Sequence, residues 1–388
     1  MNAAAGACSG CLRRSLLIGR LAPRIAGLLG KPPEKRKGGL LGLGCEELVE
    51  ALVVPAERHD VRRWLEELEL DAVSAELDEA GIEAVCRHCQ PYPPALAFAA
   101  DPPPVLWLLG GRQRLADALR APVVTVVGTR KPSPYGREVA YALGRDLAAA
   151  GVTVVSGLAL GIDAAAHRGA LDGRRASSIA VMANGPDVPY PRTNTLLWRR
   201  LVDDSVVMSE LPPGLRPYRW SFPARNRIMA ATAELTVVVE AAEPSGSLIT
   251  ARFAGQLGRG VAAVPGRVTS WSAAGANGLL RDGAAVVRGA QDVLAELAPD
   301  SRAMLRGPRD LPEPANEVSA LDPAARRVLE AVESEEGLEA IGRRAHLAAS
   351  DVRSALARLE GAGLVLRDPL GRYLRRAGGR GSRPILAP

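Results

Sequence analysis

Long apolar runs and phosphate-loop signatures are what this chain lacks, and aromatic residues are few. No run of about 18 apolar residues occurs, so no segment is expected to cross a membrane as a helix. The opening MNAAAGACSGCLRRSLLIGRLAPR has no basic region before its apolar stretch. That argues against a signal peptide, and the expected location is the cytoplasm. There is no G-x-x-x-x-G-K-[ST], which excludes a P-loop. Where a dinucleotide site would show G-x-G-x-x-G after its first strand, the chain reads GTRKPSPYG, and no acidic residue ends the second strand. NAD binding is therefore not expected. Aromatics make up 4% of the 388 residues, with only three phenylalanines, so one placed away from a core stands out.

What is present fits a soluble globular chain: 47% hydrophobic and 24% charged residues, long enough for two or three domains. Net charge is 49 − 43 = +6, compatible with a polyanion partner without demonstrating one. The five cysteines include two chelate-spaced pairs, Cys8-x-x-Cys11 and Cys86-x-x-Cys89, with His88 inside the second. Four thiolates could hold a structural zinc between two helices. The pairs lie far apart in sequence, well outside finger spacing, so the expectation is reduced cytosolic thiols with no metal and no cofactor.

Three textures follow one another. Residues 1–120 read as a helical domain of SAM/HhH-like type, with helical spacing over 46–52 and 60–80 and a proline-rich exit, YPPALAFAADPPPVLWLLGG, that leads to a short apolar strand. Residues 121–298 alternate apolar runs at 123–127, 152–157, 178–183, 205–210, 235–242 and 261–266 with amphipathic segments such as 135–151. Continuous rather than alternating apolarity is what a parallel sheet buried on both faces requires. The expected fold is α/β: an extended Rossmann-like, doubly wound, mainly parallel sheet. Residues 299–318 read as a linker and 319–377 as a winged helix, in which Asp322 caps a helix starting at Pro323, Ser350 caps another, and a hairpin turns at D-P-L-G. Residues 378–388 read as a basic disordered tail.

In such a sheet, ligands bind beyond the carboxyl ends of the strands. The residues there are Gly128, Thr129 and Arg130; Ser156, Gly157 and Gly161; and Ser245, Gly246 and Ser247. The fourth strand leads, through Arg219, to the loop-like SFPARNR with Phe222, Arg225, Asn226 and Arg227. Glycines admit backbone N–H groups to phosphate, and arginines add charged forks. A basic groove with an aromatic platform suits single-stranded nucleic acid, with Phe222 stacking a base. The plainer alternative has Phe222 packing the loop and the arginines pairing with Glu210 or Glu240. His167 lies one turn after Asp163, as a helix-start contact or a catalytic couple; no nucleophile motif accompanies the pair.

These strings, together with VTVVSGLALGIDAAAHRGAL, DVPYPRTN, VVVEAAEPSGSLITARFA and NGLLRDGA, resemble the DNA-processing protein A (DprA/Smf) family over most of residues 121–290. That resemblance implies a non-enzymatic protein that binds single-stranded DNA taken up in natural transformation and loads the RecA recombinase. It also implies a homodimer formed through the Rossmann-like domain. By resemblance Arg130, Arg219, Phe222, Arg225, Asn226 and Arg227 belong to the DNA pocket. The chain departs from the family pattern at Leu160, where an arginine is usual; that removes a positive charge. Two other readings compete. One is a nucleotide-processing enzyme of the LOG-like Rossmann group, whose P-G-G-x-G-T-x-x-E is here EPSGSLITA. The other is a transcription regulator acting through the winged helix, whose mixed Arg353, Arg358, Asp351 and Glu360 face is a poor groove reader.

Overall fold

The structure, a computed structural model, describes residues 6–29, 39–97, 99, 101–297, 322–332, 338–361, 364–367 and 373–375. The chain divides into two compact units, Met1–Leu305 and Arg306–Pro388.

The first unit opens with helices α1 (Ser9–Leu29), α2 (Cys45–Leu52), α3 (Arg58–Glu66) and α4 (Leu70–Glu79). The periodicity over 60–80 thus covers two helices, broken at residues 67–69. Strands β1 (Glu83–Cys86) and β2 (Val105–Leu109) follow, with the short α5 (Pro94–Ala97) between them and α6 (Arg112–Arg120) after them.

Six apolar runs then become β3 (Val123–Val127), β4 (Thr153–Ser156), β5 (Ser178–Met182), β6 (Val206–Ser209), β7 (Leu235–Val238) and β8 (Gly260–Ala263). Every residue of β3 to β7 is buried, which is why these runs do not alternate. All pair in parallel, and β9 (Ala285–Val286) adds to β8 in the same sense. The crossovers are α7 (Pro134–Ala149), α8 (Ile162–Gly173), α9 (Thr195–Asp204), α10 (Ser221–Thr232) and α11 (Gly246–Gln256), followed by α12 (Ala274–Arg281) and α13 (Ala290–Glu296). Helix α7 buries Val139, Leu143 and Leu147 against β3 and β4; each is worth about 1.5–3 kcal/mol of transfer free energy.

The expected domain boundary at residue 120 falls inside this sheet. β1 and β2 pair antiparallel with each other, and β2 pairs antiparallel with β6, giving a nine-stranded order β1-β2-β6-β5-β4-β3-β7-β8-β9. Strand β2 is fully buried, so it needed a sheet on which to lie, and β6 offered the free edge. The fold is α/β and Rossmann-like, with a mostly parallel sheet.

The second unit contains α14 (Pro323–Ala331), α15 (Leu338–Ala345), α16 (Ala349–Gly361) and an antiparallel pair, β10 (Val365–Arg367) with β11 (Tyr373–Arg375). Val328, Ile341, Val352, Leu356 and Leu359 form its core. The Asp322 carboxylate accepts the Ala325 N–H at 2.8 Å, capping α14. Ser350 lies inside α16 rather than capping it, because the helix begins at Ala349. The expected linker, the D-P-L-G turn and the basic tail lie outside the described residues.

Candidate nucleic-acid interface

Strand β3 has β4 on one side and β7 on the other, so the chain reverses its direction of sheet growth there. The loops leaving β3 and β7 therefore part, and a crevice opens at the carboxyl edge. A cleft of about 540 Å³ occupies it. Gly128, Thr129, Arg130 and Lys131 line it from the loop after β3; Phe222, Arg225 and Asn226 from α10; and Ser245, Gly246 and Ser247 from the start of α11.

SFPARNR, expected as a loop, forms the first turns of α10. Pro223 is tolerated there because N–H groups of a first turn have no intrahelical acceptor. The preceding Trp220 is 7% exposed, and its Nε1 donates to the Ala22 carbonyl of α1 at 3.3 Å, which anchors the helix start. Helical spacing then sorts the side chains. Phe222, Arg225 and Asn226 share the cleft face, while Arg227 is turned away by about 200° from Arg225.

Phe222 is half-buried. The Arg130 guanidinium carbon lies 5.1 Å from its ring centroid, and the Tyr190 ring is tilted by 52° at 5.8 Å. A cation over an aromatic face at an exposed site contributes about 0.5–1 kcal/mol. Arg130 is exposed and forms no ion pair among the described residues. Behind this trio a smaller pocket of about 80 Å³ is lined by Leu160, Tyr190, Phe222 and Arg225. Leu160, 43% exposed, stands where the resemblance expects an arginine.

Arg225 forms the floor. Its Nη1 donates to the carbonyls of Gly157 and Val181, both at 2.6 Å, and its Nε donates to Asn226 Oδ1 at 3.1 Å. Any side chain at 157 must displace the Arg225 guanidinium, since an added Cβ would lie 1.9 Å from that Nη1. Nearby Asp163 accepts the Gly157 N–H at 3.2 Å and the Ala159 N–H at 3.4 Å. Burial pushes its carboxyl pKa up, and the Arg225 charge and those amides pull it back. Gly161, at φ 82°, brings the loop after β4 against the Thr129 carbonyl.

The expected contacts differ in where the structure places them: some line the cleft and others turn away from it. Arg227 is 5% exposed; its Nη2 donates to Glu210 Oε2 at 2.7 Å and its Nε to Asp101 Oδ2 at 3.0 Å. Its charge is spent inside the protein and does not face the cleft. Arg225 is likewise buried and serves as framework, lining the cleft from below. Ser156 is fully buried, its hydroxyl donating to the Val126 carbonyl at 2.7 Å. Ser245 caps α11, its hydroxyl 2.8 Å from that of the buried Ser247. Asn226 Nδ2 donates to the Gly246 carbonyl at 3.2 Å, tying α10 to α11. Arg219 is exposed but does not border the cleft. Among the described residues Glu240 pairs with no arginine: one of its oxygens accepts the Ser133 N–H and hydroxyl at 3.0 Å. His167 does not meet Asp163; its Nδ1 is 2.8 Å from Ser178 Oγ, and burial lowers its pKa to about 3.

Tyr190, Lys131 and Trp271 were missed as site residues. Trp271 is 78% exposed and lines the cleft beside Ser272. Tyr190 had a legible signal in DVPYP directly after a strand; Trp271 had none, since it comes from beyond β8.

Comparisons with known proteins agree with this fold. The family model for DNA recombination-mediator protein A matches residues 83–298. A relative from Mycobacterium tuberculosis is 42% identical over 308 residues, covering 74% of this chain and 76% of its own length. A DNA processing protein DprA from Bacillus subtilis is 37% identical over 228 residues, 59% of this chain and 75% of its own. The X-ray structure of DNA processing protein A from Streptococcus pneumoniae superposes with a TM-score of 0.58 at 32% identity, covering 74% of this chain and 96% of that one. The matched span begins at β1 and ends after α13, so it takes in the whole sheet and the cleft, and the chain belongs to the DNA recombination-mediator protein A (DprA/Smf) family.

Proposed function

We propose that the switch-point cleft binds single-stranded DNA without sequence preference, and that the protein acts without catalysis as a recombination mediator. The observation that carries this reading is the free Arg130 cation against the Phe222 ring, with Tyr190 beside it and Lys131 next in the chain. Unpaired cations attract phosphates, and exposed aromatic faces stack bases of any identity. Two buried carboxylates near the cleft, Asp163 and Glu240, are engaged by backbone and serine donors, which supports a site that holds a strand rather than one that cuts it. The LOG-like reading is disfavoured because EPSGSLITA supplies a helix cap and no catalytic glutamate.

The family's role extends this to protecting incoming DNA in natural transformation and loading RecA in the cytoplasm. Among the described residues no helix is long and apolar enough to cross a membrane. On this reading the protein is a homodimer through its Rossmann-like domain. The N-terminal helices are of SAM/HhH-like type, and the second unit is a winged helix that serves a protein or auxiliary DNA contact. The test is a titration of fluorescent oligo-dT against wild type and Arg130→Ala at two salt concentrations. Binding should weaken steeply with salt, by a smaller exponent in the variant. Absence of binding by the wild type overturns the reading.

A further inference from the structure

The two cysteine pairs, distant in sequence, meet in the fold. Cys8 and Cys11 stand at the start of α1, while Cys86 ends β1 and His88 and Cys89 lie in the turn that follows. Ligand atoms of Cys8, Cys11, Cys86 and His88 all lie within 4.8 Å of one another. His88 Nδ1 is 3.5 Å from Cys8 Sγ and 3.4 Å from Cys11 Sγ. Tetrahedral zinc, with Zn–S of about 2.3 Å and Zn–N of about 2.0–2.1 Å, spaces its sulfur and nitrogen ligands about 3.6 Å apart. The Cys8 backbone N–H also points at Cys86 Sγ, 3.5 Å away, a donor that favours a thiolate there.

We propose that Cys8, Cys11, Cys86 and His88 bind one structural zinc ion that joins the start of α1 to the end of β1. Three sulfurs and one imidazole are a soft donor set that suits zinc and disfavours magnesium, calcium or manganese. Four protein ligands leave no open position, as in structural sites. The cluster lies at one end of a core that includes Leu12, Leu77, Ile82 and Trp107, where the helical layer meets the sheet. Among the described residues β1 is an edge strand paired only with β2, so a cross-link there holds the sheet's end in place. Each coordinating thiol gives up its proton on binding, so zinc affinity falls as pH is lowered. Cys89, whose Sγ lies 3.4 Å from Cys86 Sγ, is the rival fourth ligand. His88 is assigned because its ring nitrogen lies within reach of both α1 sulfurs. The proposal is independent of the DNA-binding reading.

The test is metal analysis of the full chain, purified by gel filtration under reducing conditions. About one zinc per chain is expected, with Cys8→Ser/Cys11→Ser retaining less than a tenth of it. Wild type reconstituted with cobalt provides a second reading that does not depend on the fold of that variant. It should show the intense visible bands of a thiolate-rich tetrahedral ion, and zinc should displace them. His88→Ala should weaken zinc binding by more than about 100-fold, beyond what loss of an outer-shell partner costs, whereas Cys89→Ser should keep full stoichiometry. A wild type with no zinc and no such cobalt spectrum overturns the proposal. So does iron in place of zinc, or loss of metal in Cys89→Ser with retention in His88→Ala.

Discussion

The guanidinium of Arg130 rests 5.1 Å from the centroid of the Phe222 ring. One residue follows the first parallel strand and the other opens the helix after the fourth; the sheet's reversal of order brings them together. The arrangement keeps a free charge and an aromatic surface side by side at the rim of a cleft, which is what a strand with alternating phosphates and bases can use.

Phe222→Ala should weaken oligo-dT binding by about 1–3 kcal/mol, roughly 5- to 150-fold. Fluorescence anisotropy measures this, with circular dichroism confirming the fold. Since Tyr190 shares the platform, Tyr190→Ala should also lose affinity. Normal binding by both folded variants would rule out stacking at this site.

Gly157→Ala places a methyl group 1.9 Å from Arg225 Nη1 and must displace the guanidinium from two carbonyls. Overpacking of this kind costs about 1–3 kcal/mol. Urea unfolding should show the loss as a lower midpoint with little change in slope.

Arg227→Met leaves Glu210 and Asp101 without their cation. Breaking a buried pair from one side costs about 3–5 kcal/mol. The loss should appear in the denaturation midpoint, while the folded fraction keeps the wild-type salt slope for oligo-dT. A reduced slope would return Arg227 to the DNA contacts.

Leu160→Arg adds a cation to the small pocket beside Tyr190 and Phe222. If it meets one further phosphate, the plot of log affinity against log salt steepens by about 0.7, the value for single strands. Affinity at low salt should rise. An unchanged slope would show that position 160 does not face the strand.

His167 carries a pKa of about 3 in the fold, lowered by burial. Unfolded, it titrates near 6.5, so the unfolded chain binds the extra proton as pH falls between these values. Its contribution therefore lowers stability by about 1.4 kcal/mol per pH unit below roughly 6.5 and levels off near the folded pKa. Urea midpoints measured from pH 7 to pH 4 should fall less steeply for His167→Asn than for wild type.

Much of the sheet was legible in the sequence. A strand buried on both faces has no polar side to display, and β3 to β7 are continuous apolar runs for that reason. Strand β2 was legible as a strand but not as part of this sheet, because an antiparallel partner across a long connection leaves no local mark. The site was legible as a set of loops at one edge, through Arg130, Phe222 and the glycine-bearing turns. Which of its arginines face solvent was not. Arg225 and Arg227 look alike in RNR, and helical rotation sends one beneath the cleft and the other to Glu210.

The sequence by itself determined the α/β class, the strand positions and the residue types at the carboxyl edge, because periodicity and turn chemistry act over a few residues. Only the tertiary structure decided which charges remain free, since an arginine's role depends on carboxylates and carbonyls that arrive from elsewhere in the chain. The two cysteine pairs depend on it most. Sequence distance argued against a shared site, and the fold removes that distance by bringing the start of α1 to the end of β1.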